Sequence, residues 1–210
     1  MRFVLLVEGM TEKLIVAAFL KRWLDPRLNH SVGIRTEGFE GWAELVKDLP
    51  RKVPMYLNDP ARGTDIIAVI ALLDLYGLQL PNQPDAESMT KRYEWAKSYL
   101  ELTVNNPRFR QYFAVHELEA WLFSKPDIFR QDILNRFPKN LKQPEEINFS
   151  VPPAKLLDNT YMAARNQHYL KPRDGKILFA KLDPNVAYEK CPYLRLMLDD
   201  MLQMAKDAGL

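Results

Sequence analysis

Long apolar runs, paired cysteines and an excess of one charge are what this sequence of 210 residues lacks. Its longest apolar run near the amino terminus, residues 3–7, stops at Glu8 and is too short for a signal peptide or a membrane span. Cys191 is the only cysteine, which excludes an intramolecular disulfide and a cysteine metal cage. We therefore expect a cytoplasmic protein without a membrane segment, in which Cys191 is a buried packing group.

The charges of the chain nearly cancel. There are 29 basic and 27 acidic residues, so any surface that binds nucleic acid must be local. With 47% hydrophobic residues and no shift in composition along the chain, there is enough apolar mass for one sizeable core. We predict an α/β core over residues 1–125 and a mainly helical elaboration, residues 126–210, packed on the same domain.

Strand and helix patterns alternate along the first half of the chain. The third predicted strand is apolar on both faces, as in a central strand of a parallel sheet covered by helices. About four strands are too few for a barrel, so we predict a doubly wound, mainly parallel sheet flanked by helices. Strands are predicted at residues 3–7, 32–36, 66–73 and 109–115, and helices at 12–24, 42–49, 87–104, 116–123 and 193–208.

Acidic residues follow three of the predicted strands. Glu8 and Glu12 come after the first strand, Asp74 after the third, and Glu117 and Glu119 after the last. Because the carboxyl ends of parallel strands share one edge of a sheet, these side chains are expected to converge there. Clustered carboxylates repel one another, and Mg²⁺ or Mn²⁺, which prefers oxygen ligands, would offset the repulsion. Such a site suits phosphoryl-transfer chemistry.

Each of these candidates also has a purely structural explanation. The carboxylate of Glu12 in a first helical turn is stabilised by the helix dipole alone, and Asp74 could simply close a turn. Glu117 and Glu119 point to different faces, so at most one is expected to be a metal ligand. His116 is a candidate general base or phosphate contact, but a histidine at a strand end is about as often hydrogen-bonded in the core.

Three basic residues are candidates for binding a nucleic-acid phosphate: Arg35, Lys155 and Lys171. Two prolines fix the approach of Lys155 to a helix start, whereas lysine and arginine are commonly no more than solvated surface charge. The aromatic and apolar run of residues 121–123 is interpreted as core rather than as a base-stacking surface, because aromatics at helical spacing usually pack inward.

Several motifs resemble those of known families. The segment Leu6-Val-Glu-Gly-Met-Thr-Glu12 resembles the first motif of Toprim domains, in which a hydrophobic strand delivers a glutamate followed at once by glycine. Other motifs follow in the order seen in family 4276 of the domains of unknown function, and the resemblance covers nearly the whole chain. They are Leu73-Asp-Leu-Tyr-Gly77, His116-Glu-Leu-Glu-Ala-Trp-Leu-Phe123, Pro152-Pro-Ala-Lys-Leu156 and Cys191-Pro192.

This resemblance implies a Toprim-like fold related to the nuclease domains of OLD-type and RloB-like proteins. It makes Glu8 an acid/base or metal ligand and Asp74 the first aspartate of an Asp-x-Asp motif, and it places Lys155 in a family motif. Tyr76 stands where the second aspartate is expected, and a phenol is a poor Mg²⁺ ligand at neutral pH. Either Glu119 supplies the lost carboxylate or catalysis is compromised.

The sequence thus favours a Mg²⁺-dependent nuclease that acts on nucleic-acid phosphodiesters, on DNA rather than RNA, with an ATPase partner in defence or DNA processing. The ATPase is implied by the resemblance, since members of the family are often encoded beside ATPases. One alternative is a non-catalytic subunit that binds nucleic acid or a nucleotide. Another is a phosphohydrolase that acts on a small phosphorylated molecule.

Overall fold

A four-stranded parallel sheet is the centre of the protein. The computed structural model describes residues 1–61, 63–85, 88–138, 143–145 and 151–210. The strands lie in the order β2-β1-β3-β4, which confirms the predicted parallel α/β sheet. They are β1 (Arg2–Val7), β2 (Gly33–Gly38), β3 (Ile66–Asp74) and β4 (Phe109–Ala114).

Helices cover both faces of the sheet, as predicted, and the chain after residue 126 is mainly helical. Glu87, the first residue of one predicted helix, lies outside the described residues. The helices are α1 (Met10–Leu24), α2 (Trp42–Leu57), α3 (Met89–Val104), α4 (Glu119–Leu122), α5 (Gln131–Leu134), α6 (Pro153–Arg165), α7 (Lys176–Lys181), α8 (Pro184–Lys190) and α9 (Pro192–Asp207). Short 3-10 turns lie at Asp25–Arg27, Gly63–Asp65 and Pro126–Ile128, and a π-helical turn at Lys171–Gly175.

Alternation along the strands builds two cores, one on each face of the sheet. Phe3, Leu5 and Val7 face a core formed with α1, α4 and the C-terminal helices, whereas Val4 and Leu6 face a core formed with α2 and α3. The predicted packing roles are confirmed, because residues 121–123 and the lone cysteine at 191 are at most 1% exposed in the first core. The sheet is therefore held rigidly between two layers.

Two predicted helices differ from the observed ones. Helix α2 continues past residue 49 to Leu57, with Pro50 and Pro54 inside it. The buried stripe that includes Leu45, Leu49 and Val53 continues through both prolines, and its packing outweighs their cost of about 3 kcal/mol each.

The helix predicted at 116–123 is also shorter, since α4 spans only Glu119–Leu122. The backbone before it is used to hold the end of β3. The Tyr76 N–H donates to the His116 carbonyl at 2.9 Å, and the Leu118 N–H donates to Asp74 Oδ1 at 3.1 Å. Within the described ranges, none of the helices combines the length and the apolar character needed to cross a bilayer.

Arg22 on α1 ties the N-terminal part of the chain to the C-terminal helices. Its guanidinium donates to the carbonyl oxygens of Phe179, Ala180 and Leu182 at 2.6, 3.1 and 2.9 Å. These carbonyls belong to the last turn and the end of α7, where a cation is also favoured by the helix dipole.

We predict that Arg22→Ala lowers the free energy of unfolding by about 1.5–3 kcal/mol, the range for hydrogen bonds to a charged group. Urea denaturation measures the effect. The control is Arg51→Ala, because Arg51 is 64% exposed and, among the described residues, its ion pair is with Asp48 one turn away, so its loss should cost less than about 0.5 kcal/mol. Equal losses in the two variants would show that Arg22 does not join the two parts.

Candidate functional site

Glu8 and Asp74 lie side by side at the carboxyl edge of the sheet. Strands β1 and β3 are parallel neighbours in which Val7 is opposite Leu72, so Glu8 leaves β1 where Asp74 ends β3. The Asp74 N–H donates to Glu8 Oε2 at 3.3 Å, and the N–H of Trp42 at the start of α2 also hydrogen-bonds Glu8. The sheet itself therefore brings together two of the acids named from the sequence.

Glu119, the first residue of α4, is fully buried in the same region. The ammonium of Lys171 lies 3.2 Å from Glu119 Oε2, and the Tyr169 hydroxyl donates to Glu119 Oε1 at 3.4 Å. Oε2 is at ion-pair distance from Lys171 but receives no hydrogen bond of acceptable geometry. A buried carboxylate oxygen is thus only partly satisfied.

Glu12 in the first turn of α1 completes the group. It is 8% exposed, and its Oε1 forms an ion pair with the Lys171 ammonium. Its Oε2 lies 2.2 Å from the point that a Cβ at Gly9 would occupy, so position 9 must be glycine for the carboxylate to lie there. We call Glu8, Glu12, Asp74 and Glu119 the acidic cluster; Lys171 lies among them.

Burial and mutual repulsion raise the pKa values of two members of the cluster, Asp74 and Glu8. Burial raises the pKa of Asp74 well above its usual value, and the nearby carboxylates of Glu119, Glu8 and Glu12 add to this against the lowering by Lys171. Burial likewise raises the pKa of Glu8, and Glu12 adds to it, although the Asp74 N–H and Lys171 oppose the shift. Asp74 and Glu8 therefore bind protons more readily than exposed carboxylates do.

The pKa of the Lys171 ammonium is also raised, which favours its charged form. Burial lowers its pKa, but the carboxylates of Glu119, Asp74 and Glu12 outweigh that effect and hold the pKa above its ordinary value. Lys171 is therefore a permanent cation in this arrangement.

Glu117 points away from the cluster towards α6. Its Oε2 accepts the Ala154 N–H at 2.7 Å, so it caps the amino terminus of that helix. Burial raises the pKa of Glu117, the Ala154 N–H opposes this, and Glu119 adds to it. Of the two glutamates that follow β4, Glu119 is the one that belongs to the cluster.

His116 lies beside the cluster and faces a separate cavity of about 720 Å³. Its carbonyl binds the Tyr76 N–H, so its backbone helps to hold the end of β3. Its catalytic role stays a prediction. The cavity is also lined by Ser88, Met89, Thr90, Glu145, Pro192, Tyr193 and Leu196.

Of the three basic residues named from the sequence, the structure brings Lys171 to the cluster. The Lys155 side chain is 58% exposed and lies 3.5 Å from Asp158 on its own helix. Arg35 is the third residue of β2, and it lines a cavity of about 220 Å³ with Arg2 and Ile66, the first residues of β1 and β3. Arg35 thus lies towards the amino edge of the sheet, and phosphate binding by it or by Lys155 stays a prediction.

Tyr76, at the position of the expected second aspartate, is 53% exposed. The ring thus points largely towards solvent, while the backbone is fixed by its hydrogen bond to His116. Tyr76 therefore does not give the cluster the oxygen ligand that the expected second aspartate would supply.

The sequence analysis did not identify two buried groups near the site. Tyr169 reaches Glu119 from 50 residues away. Glu145 is 1% exposed and caps α9, because its carboxylate accepts the N–H groups of Tyr193 at 2.7 Å and Leu194 at 3.3 Å, as well as the Trp121 indole N–H at 3.0 Å. Helix α9 begins at Pro192, and neither Pro192 nor the preceding Cys191 supplies a side-chain cap. This missing cap is the only hint in the sequence that another residue, here Glu145, caps the helix.

The acidic cluster has the donor type that Mg²⁺ or Mn²⁺ prefers, since all four members offer carboxylate oxygens. Their arrangement does not fit a bound ion, however. In the part of the chain that the structure describes, no three or more His, Cys, Asp or Glu side chains are placed to hold a metal. Lys171 contacts two of the four carboxylates instead. A divalent cofactor therefore stays a prediction that requires the site to rearrange.

Comparisons with known proteins give a family but no activity. The sequence model of a domain of unknown function, DUF4276, matches residues 7–202. No curated protein matches. A solved C-terminal region of the Xanthomonas campestris pv. campestris OLD protein is 20% identical, with a TM-score of 0.47 over 100% of this chain and 97% of that one. The C-terminal region of the Burkholderia pseudomallei OLD protein is 18% identical, with a TM-score of 0.45 over 98% and 97%. Likeness at this level says nothing about function.

We predict that Asp74→Asn stabilises the protein at pH 7. The asparagine Oδ1 can still accept the Leu118 N–H, whereas the cost of a buried charge and its repulsion by neighbouring carboxylates disappear. A gain of about 1–2 kcal/mol would raise the melting temperature by roughly 2–8 °C in a thermal scan of a chain of this size.

Glu37→Gln is the matched control, with the opposite sign. Burial would raise the pKa of Glu37, but hydrogen bonds from Lys52 and Tyr56 outweigh burial and lower it. Its ionised form thus stabilises the fold above its unfolded pKa of about 4.3, and this contribution is lost as the pH falls through the lower folded pKa. Glu37→Gln should reduce the melting temperature at pH 7 and have less effect at acidic pH. A loss of stability in Asp74→Asn as well would contradict the charge argument.

Proposed function

This chain belongs to the DUF4276 family of domains of unknown function, and from that premise we propose that its acidic cluster is the reaction centre of a Toprim-type nuclease. The observation that carries the proposal is the convergence of four carboxylates, two buried and two partly buried, beside the ammonium of Lys171. They come from the ends of β1 and β3 and the first turns of α1 and α4. The separate elements converge on the edge of a parallel sheet where ligands usually bind.

The charge balance of the cluster supports a functional rather than a structural role. Among the described residues, Lys171 is the cation in ion-pair contact with the cluster, and it contacts only Glu12 and Glu119. An uncompensated buried carboxylate costs several kcal/mol, so a cluster kept only for stability would be expected to be neutral. Strongly shifted carboxylates gathered at one sheet edge are typical of catalytic sites.

The chain's own residues suggest how such a centre would act on a phosphodiester. Glu8, whose pKa is raised by burial, is placed to exchange a proton with a reacting oxygen, because a carboxyl group works best as an acid or base when its pKa approaches the working pH. A phosphodiester is itself an anion, so it can approach only when added positive charge offsets the carboxylates. In our proposal that charge is Mg²⁺ or Mn²⁺, and the substrate is nucleic acid, DNA rather than RNA on the family resemblance.

A second candidate function is a non-catalytic subunit that binds nucleic acid or a nucleotide for an ATPase partner. The observation that favours it is the exposed Tyr76 where a second aspartate is expected, together with Lys171 among the carboxylates. The ATPase partner belongs to both proposals, and it rests on the family resemblance.

We predict that the chain cleaves labelled DNA in the presence of Mn²⁺ or Mg²⁺ and that EDTA stops the reaction. Asp74→Asn should reduce the rate at least 100-fold, about 2.7 kcal/mol of barrier, because it removes a charge from the centre. Glu37→Gln, at a carboxylate held by Lys52 and Tyr56, should keep the wild-type rate apart from its effect on stability. The assay is run with DNA and with RNA, in the presence and absence of a candidate ATPase partner. Cleavage that survives both EDTA and Asp74→Asn would contradict the proposal.

Metal titration separates the two candidate functions. Calorimetry with Mn²⁺ should show roughly tenfold tighter binding for Tyr76→Asp than for the wild type, since the added carboxylate restores the expected pair, while Tyr76→Phe should change little. Glu119→Gln should weaken binding about as much as Asp74→Asn does. A wild type that takes up no Mn²⁺ while Tyr76→Asp does would favour the binding subunit over the nuclease.

A further inference from the structure

Lys171 is the cation that the structure places against two carboxylates of the acidic cluster. Its ammonium forms ion pairs with Glu12 and with Glu119, and its side chain is only 25% exposed. The charge on Asp74 is also close enough to interact strongly with it. A divalent ion bound to the same carboxylates would lie a few ångströms from this ammonium, where two cations repel each other strongly at low dielectric.

The segment that carries Lys171 is locally unusual. Lys171 opens a π-helical turn, Lys171–Gly175, a rare conformation that recurs at functional sites. The turn is closed on itself by Asp174, whose carboxylate accepts the Leu170 N–H at 2.8 Å and pairs with Arg173 at 2.9 Å. These bonds lie within the segment, so they can persist if the segment shifts relative to the sheet.

Side chains connect this segment to the cluster. Besides the ion pairs of Lys171, the Tyr169 hydroxyl reaches Glu119 at 3.4 Å. Gly175 makes room for that hydroxyl, because a Cβ at position 175 would lie 2.8 Å from it. Tyr169 and Lys171 thus contact carboxylates that are far away in sequence. In place of these polar contacts, the carboxylates can form contacts with another cation.

We infer that Lys171 is the resident counter-cation of the acidic cluster, and that a divalent ion enters only when the Lys171 ammonium leaves. The partly satisfied Oε2 of Glu119 is the second observation that supports this, since a fully buried oxygen faces the ammonium without a hydrogen bond. The inference deepens the proposed function because it concerns the same cluster. It makes Lys171 a positioning residue that keeps the site closed to metal in the arrangement described.

The first test measures Mn²⁺ binding by electron paramagnetic resonance of the free ion, which needs no activity. We expect Lys171→Met to bind Mn²⁺ at least tenfold more tightly than the wild type, because it removes the competing cation. Lys171→Arg should stay near the wild-type affinity. Lys155→Met is the matched control: it removes a lysine that is 58% exposed and pairs with Asp158, so it should change nothing. Unchanged or weaker binding in a folded Lys171→Met would overturn the inference.

The second test uses the wild-type chain and does not depend on the folding of a variant. Reductive methylation followed by mass spectrometry reports how accessible each lysine amine is. Without metal, Lys171 should react much more slowly than Lys155, and Mg²⁺ should accelerate Lys171 alone over the concentration range that displaces bound Mn²⁺. A Lys171 amine that stays protected at saturating Mg²⁺ would overturn the inference, as would the absence of Mn²⁺ binding to every variant.

The two proposals fail in different ways. If Lys171→Met binds Mn²⁺ no more tightly but Asp74→Asn abolishes cleavage, the counter-cation inference is wrong and the nuclease survives. If Lys171→Met gains Mn²⁺ affinity but neither protein cleaves DNA or RNA, the inference stands and the proposed function fails.

Discussion

The ion pairs of Lys171 with Glu12 and Glu119 are the interactions on which the site depends. Without a cation among them, carboxylates from four elements would be buried together with little to offset their repulsion. The same ion pairs connect the chain after α6 to the helices that follow β1 and β4. Lys171 thus offsets part of the negative charge at the sheet edge and adds to the attachment of the C-terminal part that Arg22 also provides.

The sequence predicted the features that depend on local pattern. Continuous apolar runs located β1 and β3, weaker patterns located β2 and β4, and the geometry of parallel strands was enough to expect Glu8 and Asp74 at one edge. The position of Lys171 could not be predicted, because its partner Glu119 is far away in sequence and only tertiary packing brings them together. Helix α2 shows the same limit, since burial of its apolar stripe outweighed two prolines that normally end a helix.

The proposed function rests on the free-energy cost of burying charged groups. A fold that holds Glu119 fully buried and Asp74 partly buried at an open sheet edge loses stability there, and such a local loss is usual where a ligand binds. Membership of the DUF4276 family gives no activity by itself, so the chemistry has to be argued from these carboxylates and from Lys171.

The most direct test is a crystal structure determined with and without Mn²⁺, with anomalous diffraction used to locate the ion. The proposed function predicts an anomalous peak bound to the carboxylates of Glu8, Asp74 and Glu119, with the Lys171 ammonium moved away from Glu119. A cluster that shows no peak in Mn²⁺ and keeps Lys171 in contact with Glu12 and Glu119 would contradict the claim that this edge of the sheet is a metal-dependent reaction centre.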